Sequence, residues 1–418
     1  QREGTGVAVH LAPDAPLSDD LARLLASGRR VGADRSAHLR KLLATLPEHT
    51  PDPTLTVHLR SDDPAALLDD LLTYDAVDYA WITRPPAQPP VDLDPPTPDL
   101  EPQQTWWSSS PEGVGMRAAR AWPGGDGVGI VIADVELSFA PDHEDLLTQP
   151  PIVHSGQAYE LEDWSFHGTG VLGICCAASD GYGTTGGASG AEAWVVHPVY
   201  DRNDDYRPAD AIISATLDLV PGDILLLELQ TYGTDGLLPI TAEPDVWDAV
   251  SVATAAGIVV VVPASNGGLD LDDPDLDGWF DRALHDNGAI LVGAVDPADG
   301  SRSRSCYGSA VDVHGWGKAI VAPTDGDHQP DLFFPDGDDR QAYTSRFGGT
   351  SGAAAQVAAA SAVAQGVSLH LHGEPVDPRT LRSWFRASGN LQDTHARAEQ
   401  PIGSYLDVRR LIQAWLSP

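Results

Sequence analysis

Four polar residues stand at points where the chain turns or ends an apolar run. They are Asp134 in "GVGIVIADVELS", His167 in "FHGTGVLG", Asn266 in "GIVVVVPASNGG" and Ser351 in "FGGTSGAAAQVA". A serine hydroxyl becomes a useful nucleophile only when a base takes its proton. The base needs a carboxylate to orient it, and the developing oxyanion needs a hydrogen-bond donor. This chain offers one candidate for each role: Ser351 as nucleophile, His167 as base, Asp134 as carboxylate and Asn266 as donor. Each has a plainer reading by itself: a helix-capping serine, a helix-start histidine, a turn aspartate and a loop amide. Together they make a complete set for acyl transfer.

The elements around them decide whether they can meet. Gly348, Gly349 and Thr350 read as a tight turn, and the alanines that follow are the strongest helix formers. Ser351 therefore falls at a helix N-terminus, where unpaired N–H groups point outward and favour negative charge. Asp134 ends an apolar strand, a costly place for an unpaired carboxylate. His167 and Gly168 read as the opening of a small-residue helix. "GVGIVIADV", "AEAWVVHPV", "GDILLLELQ", "GIVVVVPAS" and "GAILVGAV" are near-continuous apolar runs, as expected of parallel strands buried on both faces. "PDVWDAVSVATAA" and the alanine-rich helix would cover those faces. The predicted fold of residues 105–418 is a three-layer α/β domain with a mostly parallel sheet. In such folds chemistry sits beyond the carboxyl ends of the strands.

A smaller unit precedes it. "GVAVHLAP", "TLTVHLRS" and "AVDYAWITR" read as strands. A long helical stretch, broken near Gly32, lies between the first two. A second helix, opening at Ser61 or Asp62 with Pro64 in its first turn, precedes the last. That order predicts a small ferredoxin-like α+β domain over residues 1–85. "RPPAQPPVDLDPPTPDLEPQQ", rich in proline and acid, predicts an extended linker over residues 86–104.

Composition narrows the partners. The net charge of −36 argues against nucleic acid and anionic membranes, and Lys41 and Lys318 are the only lysines. No apolar run approaches the length that spans a bilayer. The three cysteines, Cys175, Cys176 and Cys306, are too few for a disulfide framework; one bridge to Cys306 and three free buried thiols both stay open.

On these motifs the second domain resembles the subtilisin-like serine proteases, the subtilases. "HGTGVLG" is similar to the family's histidine motif, "GTSGAAAQVA" to its serine motif and "VVVVPASNGG" to its oxyanion-asparagine stretch. "SRSRSCYGSAVDVHGWG" also resembles a family stretch, and "DVELSFAPDHEDL" keeps the downstream "HEDL" while departing from the usual sequence after the aspartate. The chain order Asp134, His167, Ser351 is that of subtilisin. The resemblance implies a serine endopeptidase acting through an acyl-enzyme. The Ser351 N–H and the Asn266 amide would form the oxyanion hole, with Glu228, Leu229, Gln230, Ala264 and Ser265 beside the substrate. Gly170 and Ser265 depart from the family pattern, the latter standing where a glycine is usual. Glu228 stands where a small polar residue is usual, and a buried acid there could favour basic side chains, perturb His167 or serve as a hydrogen-bonded structural group.

The chemistry needs no cofactor. Many subtilases bind structural calcium, and "DPDLDG" makes Asp273, Asp275 and Asp277 candidate ligands, with a solvated acidic loop as the other reading. The first domain resembles a subtilase propeptide, an intramolecular chaperone and inhibitor, which implies a zymogen. The expected partners are protein or peptide substrates of a secreted, monomeric enzyme. A catalytically silent interaction protein with a permanently capped cleft, an esterase and a calcium-dependent binding module are the rival readings.

Overall fold

The computed structural model describes residues 6–12, 15–30, 55–61, 63–83, 97–159, 162–200, 206–324, 339–389 and 399–416. The chain forms two compact units, Gln1–Asp92 and Leu93–Pro418. In the first, β1 (Gly6–Leu11), α1 (Asp19–Leu25), β2 (Arg29–Arg30), β3 (Thr56–Arg60), α2 (Pro64–Leu71) and β4 (Val77–Thr83) follow in order. The strands make an antiparallel sheet in the order β2-β3-β1-β4, the ferredoxin-like arrangement expected from the sequence. Alternation along β1 and β3 turns Val7, Val9, Val57 and Leu59 inward with Leu21, Leu25 and Leu71 from the helices. Two local readings change. The first helix ends by Leu25 and the chain enters β2 at Arg29; residues 31–50 lie outside the described residues. The second helix is capped by Asp63, whose side chain accepts the Ala66 N–H, rather than by Ser61; Asp62 lies outside the described residues.

The expected linker falls partly within the described residues. Residues 84–96 lie outside the described residues, but 97–104 are built into the second unit. Leu100 is buried against Val321 and Tyr343. The Gln104 side chain donates to the Thr185 carbonyl at 3.0 Å and accepts from its N–H at 2.9 Å.

The second unit is organised by an eight-stranded sheet. Its strands are β5 (Val131–Val135), β6 (Ile152–Ser155), β7 (Glu192–Val196), β8 (Ile224–Leu227), β11 (Val259–Pro263), β12 (Ile290–Val295), β13 (Val313–Trp316) and β16 (Ser404–Tyr405). They lie in the order β16-β13-β12-β11-β8-β5-β7-β6, and every pairing is parallel. Two hairpins complete the strands: β9 (Gln230–Tyr232) with β10 (Leu237–Pro239), and β14 (Ile320–Pro323) with β15 (Tyr343–Phe347).

Between the strands run α3 (Glu162–Cys176), α4 (Pro208–Asp218), α5 (Pro244–Ala255), α6 (Gly349–His372) and α7 (Pro378–Ser388). The long α6 lies across β5, β8, β11, β12 and β13 and against α3, while α4 and α5 pack on one another and on the strands. Its alanines are buried from Ala353 to Ala364, so small side chains are what let a helix lie this close to a sheet. The chain leaves β5, fills β6 and β7 to one side, then crosses to β8 on the other. That reversal opens a crevice beyond the carboxyl end of β5. No helix among the described residues is long and apolar enough to cross a membrane. Cys175, Cys176 and Cys306 are free buried thiols.

Candidate active site

Ser351 lies in the first turn of α6, as the glycine–alanine boundary predicts. The capping position belongs to Gly348, so Ser351 is not the helix cap. Among the described residues its backbone N–H has no hydrogen-bond partner. The turn depends on Gly349, whose φ of +72° disfavours side chains and whose absent Cβ would lie 3.1 Å from Asn266 Oδ1.

Asn266 follows β11. Its Oδ1 accepts the Thr350 N–H at 3.0 Å and faces the Thr350 hydroxyl at 3.3 Å. An N–H can only donate, so this contact fixes the amide orientation and leaves Nδ2 as a donor without a partner among the described residues. Gln230 braces the same loop, its Oε1 accepting the Asn266 N–H and the Ser265 hydroxyl, both at 3.2 Å. Ser265 adopts φ +74°, which is the physical reason a glycine suits that position.

His167 sits within α3 rather than at its start, because the helix already begins at Glu162. Gly168 belongs inside the helix for packing: a Cβ there would lie 2.1 Å from the Ser138 carbonyl and 2.6 Å from Glu136 Cγ. The close approach brings His167 Nδ1 to 2.6 Å from Glu136 Oε2. The carboxylate that holds the imidazole is therefore Glu136, and the expectation for Asp134 is corrected. Asp134 is the fourth residue of β5, 1% exposed, and neither of its oxygens has a hydrogen-bond partner among the described residues. Glu136 stands just past the last residue of β5 on the same face, where the longer side chain reaches the imidazole. Its other oxygen, Oε1, accepts the Leu137 N–H at 2.7 Å.

The charges follow from this placement. Burial by itself would lower His167, but the Glu136 charge and hydrogen bond, with the Glu228 charge, hold it up at about 9. Burial, helped by the Glu136 and Glu228 charges, pushes the Asp134 carboxyl well above the usual carboxylate range.

His167, Ser351, Asn266, Glu228, Leu229 and Gln230 line one cleft of about 550 Å³, with Leu137, Trp164, Tyr206 and Tyr232 among its apolar walls. Ala264 and Ser265 do not line it: both are fully buried behind the wall, and the Ser265 hydroxyl is turned to Gln230. Asp273, Asp275 and Asp277 are not gathered either. Asp273 caps its own turn by accepting the Asp275 N–H, and among the described residues no group of three or more His, Cys, Asp or Glu is placed to hold a metal ion. "HEDL" serves the structure: Asp145 is buried, accepting the Thr184 N–H at 2.9 Å and the Tyr343 hydroxyl at 2.6 Å.

A parallel α/β sheet with serine, imidazole and carboxylate gathered at the carboxyl edge of its strands is the layout of a serine hydrolase. Residues 125–400 match the subtilase family, and the chain belongs to that family. Solved structures similar to it include a protease from Pseudoalteromonas arctica, at 20% identity and a TM-score of 0.55, covering 75% of this chain and 98% of that one. The prenylagaramide maturation protease PagA is similar at 18% identity and TM-score 0.51, covering 72% of this chain and 96% of its own. Fervidolysin from Fervidobacterium pennivorans, a keratinolytic enzyme related to subtilisin, is similar at 16% identity and TM-score 0.54 over 99% of this chain and 61% of its own. At these identities the likeness is one of fold. No curated protein matches the chain in sequence.

Proposed function

We propose that this protein is a serine endopeptidase in which Glu136, rather than an aspartate, completes the triad with His167 and Ser351. Ser351 Oγ attacks the scissile carbonyl carbon while His167 Nε2 takes its proton. Glu136 holds Nδ1–H, fixing the tautomer in which Nε2 is the acceptor, and stabilises the imidazolium that forms. The oxyanion is met by the Ser351 N–H and Asn266 Nδ2. His167 returns its proton to the leaving amine, leaving an acyl-enzyme that water, deprotonated by the same imidazole, hydrolyses. The observation that carries this reading is the 2.6 Å contact between His167 Nδ1 and Glu136 Oε2 at the edge of the cleft that Ser351 lines.

The test is hydrolysis of a quenched-fluorescent peptide library by the full chain and by Ser351→Ala, with product masses locating the cleaved bonds. Cleavage lost in Ser351→Ala supports the reading, and equal cleavage by both refutes it. We read the first unit as an inhibitory prodomain and the protein as a secreted, monomeric zymogen. Limited proteolysis within residues 86–96 then raises peptidase activity; activity unchanged by that cut removes the latency.

A further inference from the structure

Asn266 can stabilise an oxyanion well only if its Nδ2 is already aimed when the substrate arrives, because a donor that must be turned during the reaction loses much of its effect. Three contacts hold the residue. The Thr350 N–H engages Oδ1 at 3.0 Å and sets which way the amide faces. Cys306 donates its N–H to the Ser265 carbonyl at 3.0 Å and holds the turn from behind. The Asn266 N–H itself is met by a side chain, Gln230 Oε1, at 3.2 Å, and has no other acceptor among the described residues.

Gln230 comes from another element. It opens β9, in the hairpin with β10, and lines the cleft. Its Oε1 takes two donors at once, the Asn266 N–H and the Ser265 hydroxyl, both at 3.2 Å. A backbone N–H can only donate, so the atom that faces the loop must be the amide oxygen. Gln230 is exposed and Ser265 is fully buried, so the link runs from the cleft surface inward. The second strand of the hairpin meets the same loop. A Cβ at Gly267 would lie 1.9 Å from the Leu237 carbonyl oxygen. Cys306 Sγ approaches that oxygen at 3.4 Å and accepts the Leu269 N–H at 3.4 Å. Hairpin and loop are thus packed backbone to backbone at one point and joined by one amide at another. The loop needs such a hold: Ser265 sits at φ +74°, a conformation that costs a serine energy and persists only where the surroundings enforce it.

We propose that Gln230 is a positioning residue for the oxyanion donor: its amide oxygen, holding the Ser265 hydroxyl and the Asn266 N–H together, fixes where Asn266 Nδ2 points. The inference rests on the serine-peptidase reading. Gln230 acts through Asn266 and not by contact with the substrate. Without the oxygen the turn at Ser265 can relax and carry Nδ2 with it, and a misplacement of about 1 Å at such a site can cost about 10²-fold in rate.

The test is steady-state kinetics on a peptide amide for wild type, Gln230→Met, Asn266→Ala and the double variant. Methionine keeps the length of the side chain and loses the acceptor. Each is assayed as the full chain, before and after proteolysis within residues 86–96. Gln230→Met should lower kcat by about 10–10²-fold with KM changed by less than about twofold. In the Asn266→Ala background the same substitution should cost less than about twofold, because no donor is left for it to act through. If Gln230→Met does not fold, Gln230→Ala removes the same oxygen. A merely structural role would lower kcat alike in both backgrounds, and that result overturns the proposal. A raised KM at unchanged kcat, the mark of a substrate contact, overturns it too, as do kinetics near wild type. A wild-type chain that neither cleaves nor takes a fluorophosphonate on Ser351 in either form overturns the serine-peptidase reading and this proposal with it.

Discussion

Replacing Glu136 by glutamine separates the roles of Asp134 and Glu136 more sharply than any other single change. The two oxygens of Glu136 have different partners: Oε1 accepts the Leu137 N–H at 2.7 Å and Oε2 faces His167 Nδ1 at 2.6 Å. In Glu136→Gln the Leu137 N–H still requires an acceptor, so the amide oxygen stays on that side and the NH₂ turns toward His167. An NH₂ can only donate. Nδ1 must then become the acceptor, the ring proton moves to Nε2, and the imidazole can no longer take a proton from Ser351. The same change of tautomer in a serine-protease triad costs about 10⁴-fold in kcat, close to 5 kcal/mol of transition-state stabilisation. The companion variant is Asp134→Asn. Asp134 has no hydrogen-bond partner among the described residues and burial disfavours its charged form, so an amide of the same shape should change turnover by no more than about threefold, which is under 1 kcal/mol. The assay is kcat/KM on a peptide amide, with thermal unfolding to establish that both variants fold. A large loss in Asp134→Asn with Glu136→Gln near wild type would refute the assignment of Glu136.

Asn266→Ala should lower turnover by about 10²–10³-fold with KM little changed, the cost of one oxyanion donor; steady-state kinetics near wild type would remove Asn266 from that role. Asp286 is gripped by Arg282 at 3.2 Å, Arg379 at 2.5 Å and Arg382 at 2.7 Å, tying α7 to the domain. Although burial alone would raise it, hydrogen bonds from Arg382 and Gly288 and the arginine charges hold its carboxyl well below the usual range. It therefore contributes stability above its unfolded value, near 4, that is lost as pH falls below that value. Asp286→Asn should cost about 2 kcal/mol at neutral pH and less in acid, read by denaturant unfolding at the two pH values. Tyr343→Phe leaves buried Asp145 without the 2.6 Å hydroxyl contact and should cost about 1–3 kcal/mol in the same measurement.

The strands were legible because a sheet buried on both faces writes continuous apolar runs, and "GIVVVVPAS" or "GDILLLELQ" admits few other readings. Ser351 and Asn266 were legible because each adjoins a sharp change of local pattern. The carboxylate was harder. Asp134, on β5, and Glu136, just past its end, are two apart and share a face, so periodicity alone cannot choose between them. The choice is made by where β5 ends, one residue short of Glu136, and strand ends are what a sequence specifies least. The glycines of "HGTGVLG" suggested a helix start, yet Gly168 and Gly170 are inside α3 because Glu136 and the Phe347 ring lie where their side chains would be. Ala264 and Ser265 adjoin the site in sequence but face away from it, a matter of one backbone rotation at φ +74°. The acidic run at Asp273 reads as a metal loop by composition as readily as a solvated one; in the structure Asp270 and Asp273 accept the Asp272 and Asp275 N–H groups.

Incubation of the purified full chain with a fluorophosphonate at alkaline pH, followed by intact mass and mapping of the labelled peptide, tests the central claim most directly. The account predicts one adduct, on Ser351 within the peptide that contains "GGTSGAAAQ", abolished in Ser351→Ala and strongly slowed in Glu136→Gln. A chain that takes no label, before or after proteolysis within residues 86–96, or that takes it on another serine, would contradict it.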